Sequence, residues 1–353
     1  MRKLYHKIKV QIKRDWAISL EKGNMKNLEM PPLSNEEKKS LIKTWQGLGL
    51  KINPLYYKMF KTTVGFDAEY LSDDLFFPLI IKTLNPDNLV GALEHKGLYS
   101  TIYKNLPQPK ILVQRINGVD YDSMMNVICL DDMIKNEANL KEYIIKPTVG
   151  SCMGRGVKKV FINEMNQKDI SELIQGYGDN FVIQEVVKQS TQTAVFNEGS
   201  LNTFRVSTLN INGVVSLCTI IFRCGRNGSC VDNGGAGGLI VGVKSDGQFY
   251  DNAYDTHYNK YSKTDSGIEF GQTKIEEVKD LVDLAINAHR FYLPTCGFAG
   301  WDLALDSNNK PIFIEVNLGF PGIQFEQLCP ATPIFEGRTQ EVIDYVCKHQ
   351  KLI

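Results

Sequence analysis

The chain has 353 residues, of which 43% are hydrophobic and 23% charged. This composition is typical of a globular protein that is large enough to divide into two or three subdomains. Forty basic and forty acidic residues cancel, so the overall charge predicts no nucleic-acid partner. No apolar run approaches the eighteen or so residues that span a bilayer, and no signal peptide is recognisable. The sequence therefore predicts a cytoplasmic protein.

The N-terminal segment is basic and has a helical apolar pattern. Its first fourteen residues include six lysines or arginines and no acid. Every fourth residue is apolar: Leu4, Ile8, Ile12 and Trp16. This spacing predicts an amphipathic helix. The helix could lie on the anionic inner face of a membrane, or it could pack on the protein with its basic rim in solvent. The narrow apolar face favours packing on the protein.

A second helix is predicted from Ser34-Asn35-Glu36-Glu37, a capping box, through Trp45. Helix and turn patterns continue to Asn85-Pro86-Asp87, which predicts an α-helical N-terminal region over residues 1–90. A linking segment follows over residues 91–140. A strand at Ile111-Leu112-Val113 and a helix over Met133–Glu142 are expected next.

The glycine-rich segment begins where the strand Tyr143-Ile144-Ile145 runs into Lys146. Glycines at 150, 154 and 156 can expose successive backbone N–H groups as an anion-binding nest, and Lys146 adds a charge at its entrance. A mobile turn explains the same glycines equally well. After this segment, Phe181–Val187 is predicted as a strand, which could be an adenine platform or an ordinary half-buried strand.

Two arginines come next, on a long predicted hairpin with a turn at Asn212-Gly213. Arg205 and Arg223 could hold a phosphate or a carboxylate with two hydrogen bonds each, although strand arginines more often form surface salt bridges. Four glycines between residues 234 and 238 indicate backbone that approaches another group closely or takes positive φ. Residues 275–293 are predicted as an amphipathic core helix.

The strongest local pattern is a hairpin near the C-terminal end. Gly300-Trp301-Asp302-Leu303-Ala304-Leu305 and Pro311-Ile312-Phe313-Ile314-Glu315-Val316-Asn317 flank a polar turn. Glu315 and Asn317 leave the same face of one strand, and Asp302 lies on the other strand. Three oxygen-bearing groups suit a hard cation such as Mg²⁺. A hairpin with an acidic solvent face is the alternative, but the apolar neighbours of Glu315 argue against it.

In this order the motifs resemble the ATP-grasp superfamily and, more narrowly, the sugar-transfer-associated ATP-grasp proteins. The resemblance covers about residues 70–330, and Gly-Trp-Asp-Leu-Ala and Ile-Glu-Val-Asn are its most specific parts. It implies an α+β fold in which two subdomains clamp ATP. The expected division is a small subdomain with a glycine-rich lid over residues 141–195, a large subdomain over 196–335, and a C-terminal helix over 336–353.

The resemblance also implies roles for individual residues. ATP would contact Lys96, Lys146, Ser151, Gly154, Gly156, Val157, Gln184, Glu185 and Val187. Mg²⁺, with Mn²⁺ as the alternative ion, would bind to Asp302, Glu315 and Asn317. Arg205 and Arg223 would be catalytic. The substrate side would include Asn202, Thr203, Arg226, Asn233, Gly237 and Gly238. The chain departs from the family pattern at His95-Lys96 and Gln189-Ser190, where Asp-Lys and Gln-His are usual.

The function implied by this resemblance is an ATP-dependent carboxylate–amine ligase that works through an acyl phosphate. Its expected substrates are a sugar acid or amino acid and an amino acid or amino sugar, in surface-polysaccharide or cell-envelope synthesis. Two alternatives stay open from the sequence. One is a kinase that phosphorylates a hydroxyl group, and the other is a non-catalytic nucleotide-binding scaffold subunit.

Overall fold

A computed structural model describes residues 2–130, 142–150, 155–161, 167–226, 228, 232 and 234–349. The described part consists of an N-terminal group of helices and two antiparallel sheets with helices packed on them. Nearly all of the predicted helix over Met133–Glu142 lies outside the described residues.

The N-terminal part is helical, as the sequence pattern indicates. Its helices are α1 (Arg2–Asn24), α2 (Asn35–Trp45), α3 (Leu55–Thr63), α4 (Asp73–Leu75), α5 (Ile81–Leu84), α6 (Asp87–Leu93) and α7 (Tyr99–Ile102). The predicted capping box begins α2, because the backbone N–H of Glu37 donates to Ser34 Oγ at 3.1 Å and the backbone N–H of Ser34 donates to Glu37 Oε2 at 2.6 Å. A π-helical turn, Phe76–Ile80, joins α4 to α5.

The smaller sheet has five strands. They are β1 (Ile111–Ile116), β2 (Val119–Tyr121), β3 (Tyr143–Pro147), β4 (Lys158–Val160) and β5 (Phe181–Glu185). Their spatial order is β2-β1-β5-β3-β4, with antiparallel pairing throughout. Helix α8 (Gln167–Tyr177) lays Ile170, Leu173 and Ile174 on the apolar side of this sheet. The glycine-rich segment thus connects β3 to β4.

The larger sheet has seven strands in the order β10-β9-β8-β7-β6-β11-β12. They are β6 (Thr203–Ile211), β7 (Val214–Cys224), β8 (Leu239–Val243), β9 (Phe249–Tyr254), β10 (Lys260–Tyr261), β11 (Phe298–Leu305) and β12 (Pro311–Asn317). A short helix, α9 (Thr191–Ala194), precedes β6. Positive φ angles of 54° at Asn212 and 84° at Gly213 form the predicted turn between β6 and β7.

Both faces of the larger sheet are covered. Helix α10 (Val278–Tyr292) packs its predicted apolar stripe on one face, with Phe204, Val206 and Trp301 in the same core. The N-terminal helices pack on the other face, together with α11 (Gln324–Leu328) and α12 (Thr339–His349). The predicted C-terminal helix is therefore present over Thr339–His349, and its last residues lie outside the described range.

Helix α1 packs on the protein through a different side from the one predicted. Its buried residues are Val10, Arg14, Ala17 and Ile18. The predicted packing stripe faces solvent instead, with Ile8, Ile12 and Trp16 exposed by 49%, 62% and 54%. The expectation that this stripe packs on the body is wrong. Within the described residues, no helix combines the length and the apolar character that crossing a membrane requires.

Candidate functional site

The candidate site lies where the β11–β12 hairpin of the larger sheet meets the lysines of the smaller sheet and its preceding turn. Lys96, in the 3-10 turn before α7, places its Nζ 3.1 Å from Glu315 Oε2 on β12. The backbone N–H of Lys96 donates to the carbonyl of Thr148 at 3.2 Å. This hydrogen bond ties the Lys96 turn to the end of β3, so both lysine-bearing segments converge on Glu315.

Lys146 is buried on β3. The pKa of its ammonium group is lowered to about 8, first by burial and then by the charge of Lys96, while the charge of Glu315 opposes both effects. A buried lysine next to a second cation is destabilised in its charged form. An incoming anion would relieve that cost, which is the electrostatic character of a phosphate-binding position.

Asp302 on β11 is the centre of a buried ion-pair network. Both of its oxygens accept from Arg205, one through Nε and the other through Nη2 at 2.9 Å. Arg223 Nη2 lies 2.9 Å from Asp302 Oδ1. Burial acts to raise the pKa of Asp302, but the charges and hydrogen bonds of the two arginines outweigh it and hold the pKa well below its ordinary value.

The hairpin register brings the predicted metal ligands together. Asp302 pairs with Glu315, and Gly300 pairs with Asn317. The Asn317 amide nitrogen lies 3.3 Å from Asp302 Oδ2, so these two side chains meet. No set of three His, Cys, Asp or Glu suited to a metal occurs among the described residues. The candidate set instead combines two carboxylates with an amide, and such oxygen donors fit Mg²⁺.

Gly300 makes room for the Arg205 side chain. A Cβ at Gly300 would lie 3.0 Å from Arg205 Cδ and 3.3 Å from Pro321 Cβ. Arg205 lies opposite Asp302 on the neighbouring strand β6, and its side chain passes beside Gly300 to bind Asp302. The glycine of Gly-Trp-Asp therefore has a steric role in this site.

Thr203 connects Arg223 to a further carboxylate. Its hydroxyl accepts from Arg223 Nη2 at 2.9 Å and donates to Asp232 Oδ2. Burial raises the pKa of Asp232, while the charge of Arg223 and the hydrogen bond from Thr203 act to lower it. Thr203 is thus positioned to orient the arginine.

Two carboxylates that the sequence analysis missed support the site. Glu326 on α11 is buried with its Oε1 3.7 Å from Arg205 Nη1, and burial raises its pKa to about 7. Glu94 accepts from the backbone N–H groups of Leu318 and Gly319, the latter at 2.8 Å. Glu94 therefore fixes the chain that leaves Asn317. No local spacing links either residue to the hairpin, so sequence patterns could not find them.

The predicted adenine strand is β5, and Val187 follows its end. Gln184 is buried in the strand. Glu185 is fixed to Lys110, because its backbone N–H donates to the Lys110 carbonyl at 2.9 Å and its carboxylate accepts the Lys110 N–H at 2.9 Å. The Glu185 carboxylate consequently holds the strand end.

Within the glycine-rich segment, Ser151 and Gly154 lie outside the described residues. Gly156 has a φ of 77°, and a Cβ there would lie 2.9 Å from Pro147 Cγ. Its carbonyl accepts from the Tyr177 hydroxyl at 2.7 Å. Gly156 therefore folds against β3 and α8, with Val157 immediately before β4.

The predicted substrate residues are spread over several places. Asn202 is fully buried, and its side-chain nitrogen donates to Thr193 and Asn197 carbonyls at 2.8 Å each. These hydrogen bonds hold the loop before β6. Arg226 pairs with Asp265 at 2.8 Å near the surface. Gly237 and Gly238 lead into β8, and Asn233 lies outside the described residues.

Comparisons with known structures find ligases at low sequence identity. An L-amino acid ligase from Bacillus licheniformis is 16% identical over 67% of this chain and 43% of its own, with a TM-score of 0.39. The D-alanine-D-alanine ligase from Coxiella burnetii is 15% identical over 74% and 60%, with a TM-score of 0.41. The ATP-grasp ligase PsnB, complexed with minimal precursor, Mg and ADP, is 14% identical over 74% and 62%, with a TM-score of 0.43. The chain thus matches less than two thirds of the length of each.

A search of curated proteins finds no match. The family model described as sugar-transfer associated ATP-grasp matches residues 79–342, which is more than half of the chain. This match confirms the resemblance drawn from the ordered motifs, and the α+β architecture with two antiparallel sheets agrees with the expected ATP-grasp fold. The chain therefore belongs to the sugar-transfer associated ATP-grasp family.

Proposed function

We propose that the protein is an ATP-dependent ligase that activates a carboxylate as an acyl phosphate and joins it to an amine. One observation carries this proposal. Glu315 lies within electrostatic reach of three cations from separate elements, Lys96, Lys146 and Arg205. Positive side chains gathered around a potential metal ligand suit a triphosphate. Its negative charge is neutralised by both basic side chains and a metal ion.

In this proposal, the two lysines hold the phosphates of ATP as point charges. The strand end at Gln184, Glu185 and Val187 lies along the adenine. Asp302, Glu315 and Asn317 hold Mg²⁺, which supplies charge neutralisation at the phosphoryl oxygens.

The proposed reaction has two steps. An oxygen of the substrate carboxylate attacks the γ-phosphorus, and the bond from that phosphorus to the bridging oxygen of ADP breaks. The amine nitrogen then attacks the acyl carbon, phosphate leaves, and the nitrogen loses a proton. Arg205 and Arg223 stabilise the oxyanion of the second step, because their guanidinium groups are already fixed on Asp302.

The substrate class is part of the proposal, and the reference to sugar transfer in the family description supports it. A sugar-transfer association suggests a sugar acid or amino acid as the carboxylate and an amino acid or amino sugar as the amine, in surface-polysaccharide synthesis. Thr203, Arg226, Gly237 and Gly238 are the proposed substrate-side residues, and Thr203 acts through Arg223.

The test measures ADP formation with candidate carboxylates and traps the intermediate with hydroxylamine. An acyl phosphate yields a hydroxamate, whereas phosphoryl transfer to a hydroxyl does not. We expect hydroxamate from the wild-type protein and its loss in Glu315→Ala. Glu276→Ala is the matched control, because the Glu276 side chain is 85% exposed. Stable phosphorylated alcohol without hydroxamate would favour the kinase, and ATP binding without turnover would favour the scaffold.

A further inference from the structure

Helix α1 carries a solvent-exposed apolar stripe, here called the α1 stripe and formed by Ile8, Ile12, Trp16 and Leu20. The four side chains are exposed by 49%, 62%, 54% and 58%. Residues four apart follow one side of a helix, so the stripe extends for about 18 Å along its axis. Four large apolar side chains in one exposed row form a patch of the kind that marks an interaction site.

The stripe cannot turn inward, because the opposite side of α1 is anchored. Arg14 is buried, and its Nη2 lies 2.7 Å from Asp74 Oδ2 and 2.5 Å from the Lys51 carbonyl oxygen. One turn further on, the Tyr56 hydroxyl donates to the carbonyl of Ala17 at 3.3 Å. Rolling the helix to bury the stripe would expose its apolar buried side and leave Asp74 unpaired in the interior.

The apolar surface continues beyond the helix to the loop after β12. Phe320 is 59% exposed, and its ring meets Trp16 edge-on with the centroids 6.4 Å apart. The ring of Phe320 also contacts the ring of Phe77, with the two centroids 5.1 Å apart. Because Phe320 follows Asn317 by three residues, the surface reaches the loop beside the candidate metal ligands.

The charge around the stripe is positive. The first fourteen residues include six basic residues and no acid, and one of the six, Arg14, is buried on Asp74. Lys13, Lys22 and Lys26 are exposed, and together they outnumber the exposed acid Asp15. Exposed apolar side chains bordered by lysines fit the boundary between acyl chains and anionic headgroups. A second copy of this chain fits the stripe poorly. Basic residues lie at both ends of α1, so two α1 helices would repel each other whether they packed parallel or antiparallel.

We propose that the α1 stripe and Phe320 dock this protein on an anionic lipid bilayer. The helix lies in the plane of the surface, with the stripe at the acyl boundary and the lysines among the headgroups. Docking in this orientation brings the loop after Asn317 to the membrane. The proposal is independent of the ligase chemistry.

The native tryptophans provide a direct measurement. The chain has three tryptophans, of which Trp45 and Trp301 are fully buried and Trp16 is exposed. Vesicles of phosphatidylcholine with about one third phosphatidylglycerol should shift the emission of the full-length protein to the blue. Vesicles of pure phosphatidylcholine should produce little shift, and added salt should weaken the effect. Trp16→Phe should remove the shift while sedimentation with anionic vesicles persists.

Ile12→Glu tests the stripe itself, with Ile42→Glu as a matched control. Ile42 on α2 is 59% exposed, close to the 62% of Ile12, but it lies outside the α1 stripe. Removing one buried isoleucine from the interface should weaken vesicle binding about tenfold or more, whereas Ile42→Glu should bind like the wild type. Circular dichroism melting checks that both variants fold, and Lys13→Glu is the second variant.

Several results would overturn the proposal. Wild-type protein that neither sediments with anionic vesicles nor shifts its emission at low salt contradicts it directly. Equal vesicle binding by Ile12→Glu and Ile42→Glu shows that the stripe is not the contact. Concentration-dependent self-association that Ile12→Glu abolishes, without vesicle binding by the wild type, would assign the stripe to a second copy of the chain.

Discussion

Arg205 holds Asp302 through a two-point contact in the interior, with its Nη2 2.9 Å from Asp302 Oδ2 and its Nε on the other oxygen. Asp302→Asn would leave Arg205 and Arg223 without their shared counterion. Loss of one partner from a buried ion pair costs about 3–5 kcal/mol. We expect the free energy of unfolding of Asp302→Asn to fall by that amount in urea titrations. An unchanged unfolding midpoint would contradict the central place of Asp302 in the network.

The close contact between Gly300 and Arg205 gives a second prediction. Gly300→Ala places a methyl group 3.0 Å from Arg205 Cδ, and overpacking of this kind costs about 1–3 kcal/mol. Gly91→Ala is the control, because Gly91 lies in α6 with no atom within 4 Å of its added Cβ. We expect Gly91→Ala to be neutral or slightly stabilising. Equal stability of the two variants in thermal unfolding would refute the steric role of Gly300.

The lowered pKa of Lys146 predicts proton uptake on nucleotide binding. In the free protein its ammonium group is charged below pH about 8 and neutral above it. Bound phosphates favour the charged form, so the affinity for ATP should fall by up to about tenfold for each pH unit above that value. Calorimetry of an ATP analogue in two buffers of different ionisation enthalpy should detect the uptake near about pH 9. Lys146→Met should bind weakly without that dependence, and Lys146→Arg should bind without proton uptake.

The raised pKa of Glu326 gives a prediction about stability. The Glu326 carboxyl group keeps its proton up to about pH 7 in the folded protein, whereas the ordinary pKa of a glutamate is 4.5. Its contribution to the free energy of unfolding therefore falls as the pH rises from 4.5 to about 7. Glu326→Gln removes this pH-dependent loss of stability, because glutamine does not ionise. We expect the variant to be more stable than the wild type by about 1–3 kcal/mol above pH 7, with the difference vanishing at low pH. Lower stability of Glu326→Gln than of the wild type above pH 7 would instead show that the Glu326 charge is needed by Arg205.

The sequence predicted those parts of the site that depend on local patterns. Turn residues and apolar alternation located the β11–β12 hairpin, so Asp302, Glu315 and Asn317 were found together. Glu94 and Glu326 were missed because their partners are distant in sequence. For example, Arg205 and Glu326 meet only after α11 packs on the larger sheet.

The side on which α1 packs was predicted incorrectly for a similar reason. Periodicity identified an apolar stripe, but Arg14 and its distant partner Asp74 decide which side faces the protein. A buried arginine in a basic segment has no local signature, because its carboxylate lies sixty positions away in the sequence. The proposed subdomain boundaries stay predictions.

The proposed function requires that ATP and Mg²⁺ bind between Lys96, Lys146 and the β11–β12 hairpin. Calorimetric titration with a non-hydrolysable ATP analogue in the presence of Mg²⁺ tests it most directly. We expect binding by the wild type and by Glu276→Ala, and binding weaker by about tenfold or more in Glu315→Ala. Equal affinity of Glu315→Ala and the wild type, in the presence of Mg²⁺, would contradict the claim.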